Sequence, residues 1–288
     1  MSSFSSYRIK HQKLDLEISI VPISKLYLHE EIIPEMLKQL SNEIIADGVI
    51  RHPVIVDKNS FVVLDGMHRV AAAESIGCER IPVCLVDYFN PNITLGRWFR
   101  TIIGIEDLNE IYEVLDKLSL KFDKARLEKA EKLVSEGVFP AFIAYANESI
   151  IVKANQKEIM EAYLMVATIE KELKSKGLKI GYETESDAIT MLKTNKIDAI
   201  LAMPLIKKED VVKYGLEGKL FPHKSTRHVI PARPLGVNMP LELLRKKNLS
   251  KEEIETLLRT LESRRLKKFS PGSIIENRRY EEEIFMFV

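Results

Sequence analysis

The chain has 288 residues, 45% of them hydrophobic, enough to bury one large core or two small ones, and ordinary domain sizes favour two. Forty-three Lys and Arg against 42 Asp and Glu leave a formal charge of +1, which excludes a global field drawing the protein to polyanions and makes any nucleic-acid contact a local matter. No window approaches the roughly 18 apolar residues of a membrane span, the N-terminal MSSFSSYRIKHQKLDLEIS has no apolar signal core, and Cys78 and Cys84 lack zinc-ligand or redox spacing; a cytoplasmic protein with reduced, buried thiols is expected.

Apolar residues roughly alternate from Leu16 to Pro22, as in a half-buried strand, and recur at helical spacing from Pro34 to Ile45, with Pro34 suited to a first helical turn. PVIVD, Lys58-Asn59-Ser60 and FVVLD form a β-hairpin pattern ending at Asp65. The period then changes: GMHRVAAAESIG has a glycine at each end and helix formers between, and RIPVCLVDYF returns to strand before the break at Asn90-Pro91-Asn92. ITLGRWFRTI predicts a strand pair, followed by amphipathic helices over 107–117 and 124–136 expected to pack on this first domain. From Phe139 a second α/β domain is expected: strand, turn at Asn147-Glu148, strand, a long helix over 156–176, KIGYET, a helix over 186–195, and IDAILAMP. It closes in FPHKSTRHVIPARP, a loop with three prolines and two histidines. Ser250 and Glu253 make a capping-box pair before Ile254, Leu257, Leu258 and Leu261, so residues 241–288 are expected to be a helical C-terminal extension. The run Arg264, Arg265, Lys267, Lys268 is expected to end that helix as a solvated turn. The division is thus 1–138, 139–240 and 241–288.

Three segments could carry chemistry. At Asp65-Gly66 a strand turns into a helix, so backbone can approach a ligand and the helix N-terminus offers N–H groups to phosphate. Cations in a first helical turn oppose the helix dipole, so His68 and Arg69 suit an anion held between them; an isolated string of this kind is as often paired locally. His29-Glu30 lies in a loop before the Pro34 helix; such a pair alone is usually solvated, but a carboxylate there could accept a hydroxyl proton. Lys224-Ser225-Thr226-Arg227-His228 sets two hydroxyls, a guanidinium and an imidazole together, and Arg227 suits bidentate capture of a carboxylate or phosphate. Four of the six histidines, His29, His68, His223 and His228, fall in these segments or, for His223, directly before one, which supports a shared site. Trp98, the only tryptophan, is by default a packing residue.

GMHRVAAA resembles the phosphate-contacting box of ParB-type proteins and the GCHR turn of sulfiredoxin, which implies a ParB/sulfiredoxin-like nucleotide-binding fold for residues 16–90. Met67 stands where sulfiredoxin has its reactive cysteine, and a thioether cannot replace a thiolate. The residues that follow are α/β and not the helix-turn-helix of partition proteins. The chain is similar over 16–235 to archaeal free serine kinases, on the conjunction of Leu28-His29-Glu30, Asp65-Gly66-Met67-His68-Arg69 and Thr226-Arg227-His228-Val229-Ile230-Pro231. The resemblance implies an α/β (α+β) two-domain kinase of amino-acid metabolism that moves a phosphoryl group from ATP or ADP, with Mg²⁺, to free L-serine lying between the domains. It implies Glu30 as base, Asp65 as part of the catalytic centre, Gly66, Met67, His68 and Arg69 as nucleotide-binding residues, and Trp98, Ser225, Thr226, Arg227 and His228 as substrate-binding residues, with the metal ligands unassigned. Met67 replaces the first histidine of the family's box. The alternative is a non-catalytic ParB-like regulator that binds DNA through the basic C-terminal run, although four cations without an aromatic platform or reading helix argue against nucleic acid.

Overall fold

A computed structural model describes residues 4–146 and 148–288. The chain forms two compact units: one of residues 1–94, 208–220 and 228–288, the other of residues 95–207 and 221–227.

The first unit is built on a five-stranded sheet in the order Ser6–Ile9, Leu16–Pro22, Arg80–Val86, Val54–Asp57, Val63–Asp65. Only the Val54–Asp57 and Arg80–Val86 pair is parallel, because the Met67–Ser75 helix carries the chain between the hairpin and the central strand. Leu16, Ile18, Ile20, Val54, Val56 and Val83 are wholly buried, so the alternation seen in the sequence becomes the core. Cys84 lies in the same core, where burial pushes its thiol up to about 12; Cys78 is buried too, and neither pairs in a disulfide. The Pro34–Asp47 helix packs on the Met67–Ser75 helix.

The same unit takes in the C-terminal segment, which differs from the helical extension expected. The capping box is present: Ser250 Oγ accepts from the Glu253 amide at 3.1 Å and Glu253 Oε2 accepts from the Ser250 amide at 2.8 Å, opening the Lys251–Glu262 helix. Beyond it the chain is β. Glu283–Phe287 is the middle strand of three, parallel to Ala232–Leu235 and antiparallel to Leu266–Phe269. A tight hairpin, Ile274–Ile275 with Arg278–Arg279, turns through Glu276 and Asn277, both at positive φ. The physical reason is the terminal EEEIFMFV: Ile284, Phe285 and Phe287 need flanking strands to cover them, and all three are buried. The basic run therefore starts just past the helix C-cap at Ser263 and continues into a strand, with Arg265, Lys267 and Lys268 exposed. Arg264 donates to the Val237 and Phe287 carbonyls and Lys268 pairs with Glu283 at 2.8 Å.

The second unit is a six-stranded, wholly antiparallel sheet ordered Lys179–Glu183, Phe99–Ile103, Ala199–Ala202, Ala141–Tyr145, Glu148–Lys153, Lys121–Ala125. Its core gathers Phe99, Phe142, Ile151, Leu192 and Ile200. The Asn109–Lys117 and Leu127–Ser135 helices were expected on the first domain but belong here, packed on the Ile159–Ser175 helix and on the hairpin strands Ala141–Tyr145 and Glu148–Lys153 respectively. Lys121–Ala125, expected partly as helix, is an edge strand, and Phe122 stacks on Tyr112 with ring centroids 4.8 Å apart. Of the turn expected at Asn147-Glu148, Asn147 lies outside the described residues and Glu148 opens its strand. No helix among the described residues is long and apolar enough to cross a membrane.

Ile284 is fully buried in the C-terminal sheet beside Leu235, Ile275 and Tyr280. Ile284→Ala is expected to cost about 2 to 5 kcal/mol, as other buried truncations do. Urea unfolding checks this, and an unmoved midpoint would contradict the packing.

Candidate active site

The turn into the Met67–Ser75 helix is set by Gly66, whose φ of 97° lies in the left-handed region. A Cβ here would also stand 2.8 Å from Val54 Cγ1 and 2.9 Å from Arg69 Nη1, so both conformation and space require glycine. The amides of Arg69 and Val70 turn back onto the Gly66 carbonyl, and those that precede them in the chain lie outside the helix's own ladder, in the position where anions are bound.

The side chains of the box behave differently from the free anion pair expected. His68 Nε2 accepts from the Ile33 amide at 3.0 Å, which places the ring proton on Nδ1 and ties the box to the loop carrying Glu30. Arg69 Nη1 donates to the Pro53 carbonyl at 3.0 Å, beneath Gly66.

Asp65 ends the Val63–Asp65 strand, and its Oδ2 accepts from Arg233 Nη1 at 2.7 Å. Burial alone would raise the Asp65 carboxyl, but the Arg233, Arg69 and Arg278 guanidiniums together hold it well below the usual carboxylate range. Arg233 is 8% exposed and also donates from Nε to Glu282; burial opposes its charge, and the two carboxylates outweigh burial and raise it. Sequence reasoning passed over Arg233. Its signal was an arginine inside the apolar strand ARPL, which obliges a carboxylate partner.

The Glu30 loop is held by reciprocal bonds, the Tyr27 amide to the Phe61 carbonyl at 3.1 Å and the Val63 amide to the Tyr27 carbonyl at 2.9 Å. His29 is fully buried and Glu30 is 6% exposed. The His29 and His228 rings meet edge to face with centroids 5.4 Å apart, and Tyr88 Oη lies 2.8 Å from His228 Nε2. Burial pushes His29 down to about 4, against a hydrogen bond to the Val63 backbone. Burial also pushes His228 down, with the His29 ring adding to it and Asp65 opposing. Burial raises the Tyr88 phenol. Two neutral imidazoles and a protonated phenol thus line this part of the first unit, beside the buried Glu30 carboxyl. Lys208 Nζ caps the Tyr88 and Asn90 carbonyls at 2.8 and 3.1 Å.

In the second unit, Trp98 Nε1 donates to the Thr226 carbonyl at 3.0 Å, and Lys224 Nζ and the Arg227 guanidinium lie 4.7 and 5.7 Å from its ring centroid. Arg100, wholly buried, donates to the carbonyls of Trp98, Lys224 and His223 at 3.1, 3.0 and 3.3 Å while pairing with Glu170 at 3.2 Å. It holds the backbone of the loop around Lys224, which sits at a positive φ. Ser225 is buried and its hydroxyl donates to the Pro222 carbonyl, so it shapes the loop from within. Thr226 is 8% exposed and Arg227 half-buried. Arg227 ends the second unit and is bonded directly to His228, where the chain re-enters the first. Sequence reasoning also missed Arg100; an arginine two residues after Trp98 in a buried strand was the available signal.

No family model matches the chain. It is 28% identical over 246 residues to an ATP-dependent L-serine kinase of Staphylothermus marinus, covering 82% of this chain and 93% of that one. It is 26% identical over 244 residues to an ADP-dependent L-serine kinase of Thermococcus kodakarensis, covering 83% and 96%. Among solved structures, a free serine kinase mutant in complex with AMP shares the fold, with a TM-score of 0.70 and 24% identity over 83% of this chain and 97% of that one.

His29 takes its proton at about 4 in the folded protein against an ordinary 6.5. Because the folded value is depressed, the neutral ring's stabilisation is complete above about pH 6.5 and is lost as pH falls toward about 4, a change of about 3 kcal/mol at ~1.4 kcal/mol per pH unit. Urea unfolding across this window is expected to show that loss and to flatten in His29→Asn. Stability that is level across it would mean the ring is solvated.

Proposed function

We propose that this chain, a member of the free L-serine kinase family, transfers a phosphoryl group from ATP or ADP to the hydroxyl of free L-serine, giving O-phospho-L-serine. The observation that carries the reading is a buried carboxyl, Glu30, in a loop tied through Ile33 to His68 in the first turn of the glycine-entered helix. In this reading the base and the phosphate cradle belong to one folded unit, an arrangement that favours the alignment phosphoryl transfer needs.

In this reading the amides at the start of the Met67–Ser75 helix, with Gly66, Met67, His68 and Arg69, receive the nucleotide phosphates. Glu30 takes the serine hydroxyl proton as the new O–P bond forms and the bond to the leaving nucleotide breaks. The neutral His29 and His228 rings beside it add no positive charge that would weaken it as a base. Arg227 suits the substrate carboxylate, with Thr226 and His228 as directional partners and Trp98 holding the loop backbone. Among the described residues no group of three or more His, Cys, Asp or Glu could hold a metal ion. Mg²⁺ in such reactions is held by one or two carboxylates plus the phosphates themselves. Asp65, which also bonds Arg233, is the carboxylate next to the Gly66 turn that would take that limited role, and the ion would supply neutralisation of charge on the transferred group. Two free buried thiols suit a cytoplasmic setting.

The alternative of a DNA-binding regulator leaned on the basic run at 264–268. Arg264 is occupied by the Val237 and Phe287 carbonyls and Lys268 is paired with Glu283, which leaves fewer cations of the run for a polyanion and weighs against it.

Glu30→Gln is expected to cut phosphoserine formation by about 100-fold or more, as loss of a positioned base does, while nucleotide affinity stays unchanged. Mass spectrometry of the product with ATP or ADP, beside calorimetric nucleotide titration, reads both. Unchanged turnover would remove Glu30 from the role of base, and no phosphoserine from the wild-type chain with either nucleotide would remove the kinase reading.

A further inference from the structure

The hairpin formed by Ile274–Ile275 and Arg278–Arg279 has no role in the chemistry above, yet it is firmly placed in the first unit. Its two-residue turn has both Glu276 and Asn277 in the left-handed region, the geometry that suits the twist of a two-stranded ribbon. Glu276 Oε2 lies 3.0 Å from His52 Nε2, and His52 Nδ1 accepts from the Gly236 amide at 3.0 Å, which puts the ring proton on Nε2 as donor to the glutamate. The residue after His52 is Pro53, whose carbonyl receives Arg69. The hairpin is therefore pinned to the segment that supports the phosphate box.

On the return strand, the Arg278 guanidinium sits 4.8 Å from the Tyr280 ring centroid, and Arg233 sits 5.8 Å from the same ring. Arg233 is in turn bonded to Asp65, the residue before Gly66. Arg278 thus reaches Asp65 only through the Tyr280 ring it shares with Arg233, and its charge, like that of Arg69, favours the ionised Asp65 carboxylate. Their situations differ. Arg69 is turned onto a backbone carbonyl and Arg233 is shared by Asp65 and Glu282, whereas Arg278 is exposed and makes no ion pair among the described residues. A third cation held where two already lie is repelled by them, and an anion entering from solvent relieves that repulsion. The face of Tyr280 orients the guanidinium without using its N–H groups.

We infer that Arg278, carried by the C-terminal hairpin, is a phosphate-binding residue of the nucleotide site, so that the segment beyond residue 240 completes the site built around Gly66. The inference rests on the kinase reading for the identity of the ligand, a nucleoside di- or triphosphate, while its placement rests on the contacts from the hairpin through His52 and through Tyr280 and Arg233 to Asp65. It also gives the C-terminal sheet a chemical purpose: through Glu282, Tyr280 and Glu276 the segment holds Arg233 and Arg278 beside the box.

The test is calorimetric titration of the full chain with ATP and with ADP, without serine, at low and high ionic strength. Arg278→Ala is expected to weaken both nucleotides by about tenfold or more at low ionic strength, the usual weight of a charge-assisted phosphate contact, and the deficit should shrink as salt rises. Arg278→Lys should recover part of the loss, and Arg279→Ala, one residue along on the other strand face, should bind as the wild type does. An Arg278→Ala chain that binds both nucleotides as tightly as the wild type overturns the inference, as does a loss that ignores salt and accompanies a lowered melting temperature, which would make the hairpin a packing element only. Because serine is left out, the two readings fail separately. Salt-sensitive, Arg278-dependent binding in a chain that makes no phosphoserine sinks the kinase reading alone, and phosphoserine formation with unaltered affinity in Arg278→Ala sinks this inference alone.

Discussion

The bond from Arg233 to Asp65 is the constraint on which the first unit's chemistry depends. A buried guanidinium costs several kcal/mol to desolvate and is tolerated only with charge partners in good geometry. Arg233 finds two, Asp65 at the end of the Val63–Asp65 strand and Glu282 before the last strand. Its own strand, Ala232–Leu235, is hydrogen-bonded to Glu283–Phe287. One side chain therefore joins the strand that leads into the Gly66 turn to a sheet formed more than 160 residues later, as the separation of 168 positions between the partners records. Because the Asp65 carboxyl is held below its ordinary range, this contribution is present above about pH 4 and is lost only as pH falls below that, through the depressed folded value.

Near that fixed charge three titratable groups are held in their neutral forms. His29 and His228 are pushed down and the Tyr88 phenol up, in each case chiefly by burial. Glu30 is itself largely buried, and a carboxylate with little water around it is sensitive to nearby dipoles. His68 illustrates how one residue serves two levels. In the sequence it looked like an anion contact; in the fold its Nε2 receives the Ile33 amide and so sets the distance between the Glu30 loop and the helix start. The second unit follows the same logic with Arg100, whose buried charge is balanced by Glu170 and whose remaining donors order the loop that carries Thr226 and Arg227.

What was legible in the sequence was local. The change of period at Asp65-Gly66, the hairpin before it, the Pro34 start and the Ser250/Glu253 cap all depend on neighbours a few residues apart, and all are present. The three motif segments were legible as candidates, since each has its own unusual composition. What escaped depends on distant partners. Residues 95–138 look like an annex to the first domain until Phe99–Ile103 is seen between Lys179–Glu183 and Ala199–Ala202, pairings that no local pattern encodes. The C-terminal strands are short and interrupted, and Leu266–Phe269 continues a helix pattern until Phe285 and Phe287 supply the sheet that captures it. Arg233, Arg278 and Tyr280 were passed over because their meaning lies in Asp65, which only the folded chain brings to them.

The central claim, that the Arg233–Asp65 pair joins the glycine-entered turn and the C-terminal sheet in one body, is tested most directly by a double-mutant cycle on unfolding free energy with Asp65→Asn, Arg233→Met and the two together. Each single change already removes the contact, so the account predicts a double variant less destabilised than the sum of the singles by about 0.5 to 3 kcal/mol, the range seen for directly coupled residues, with Glu282 still beside Arg233 in Asp65→Asn. Effects that simply add, to within about 0.5 kcal/mol, would contradict it.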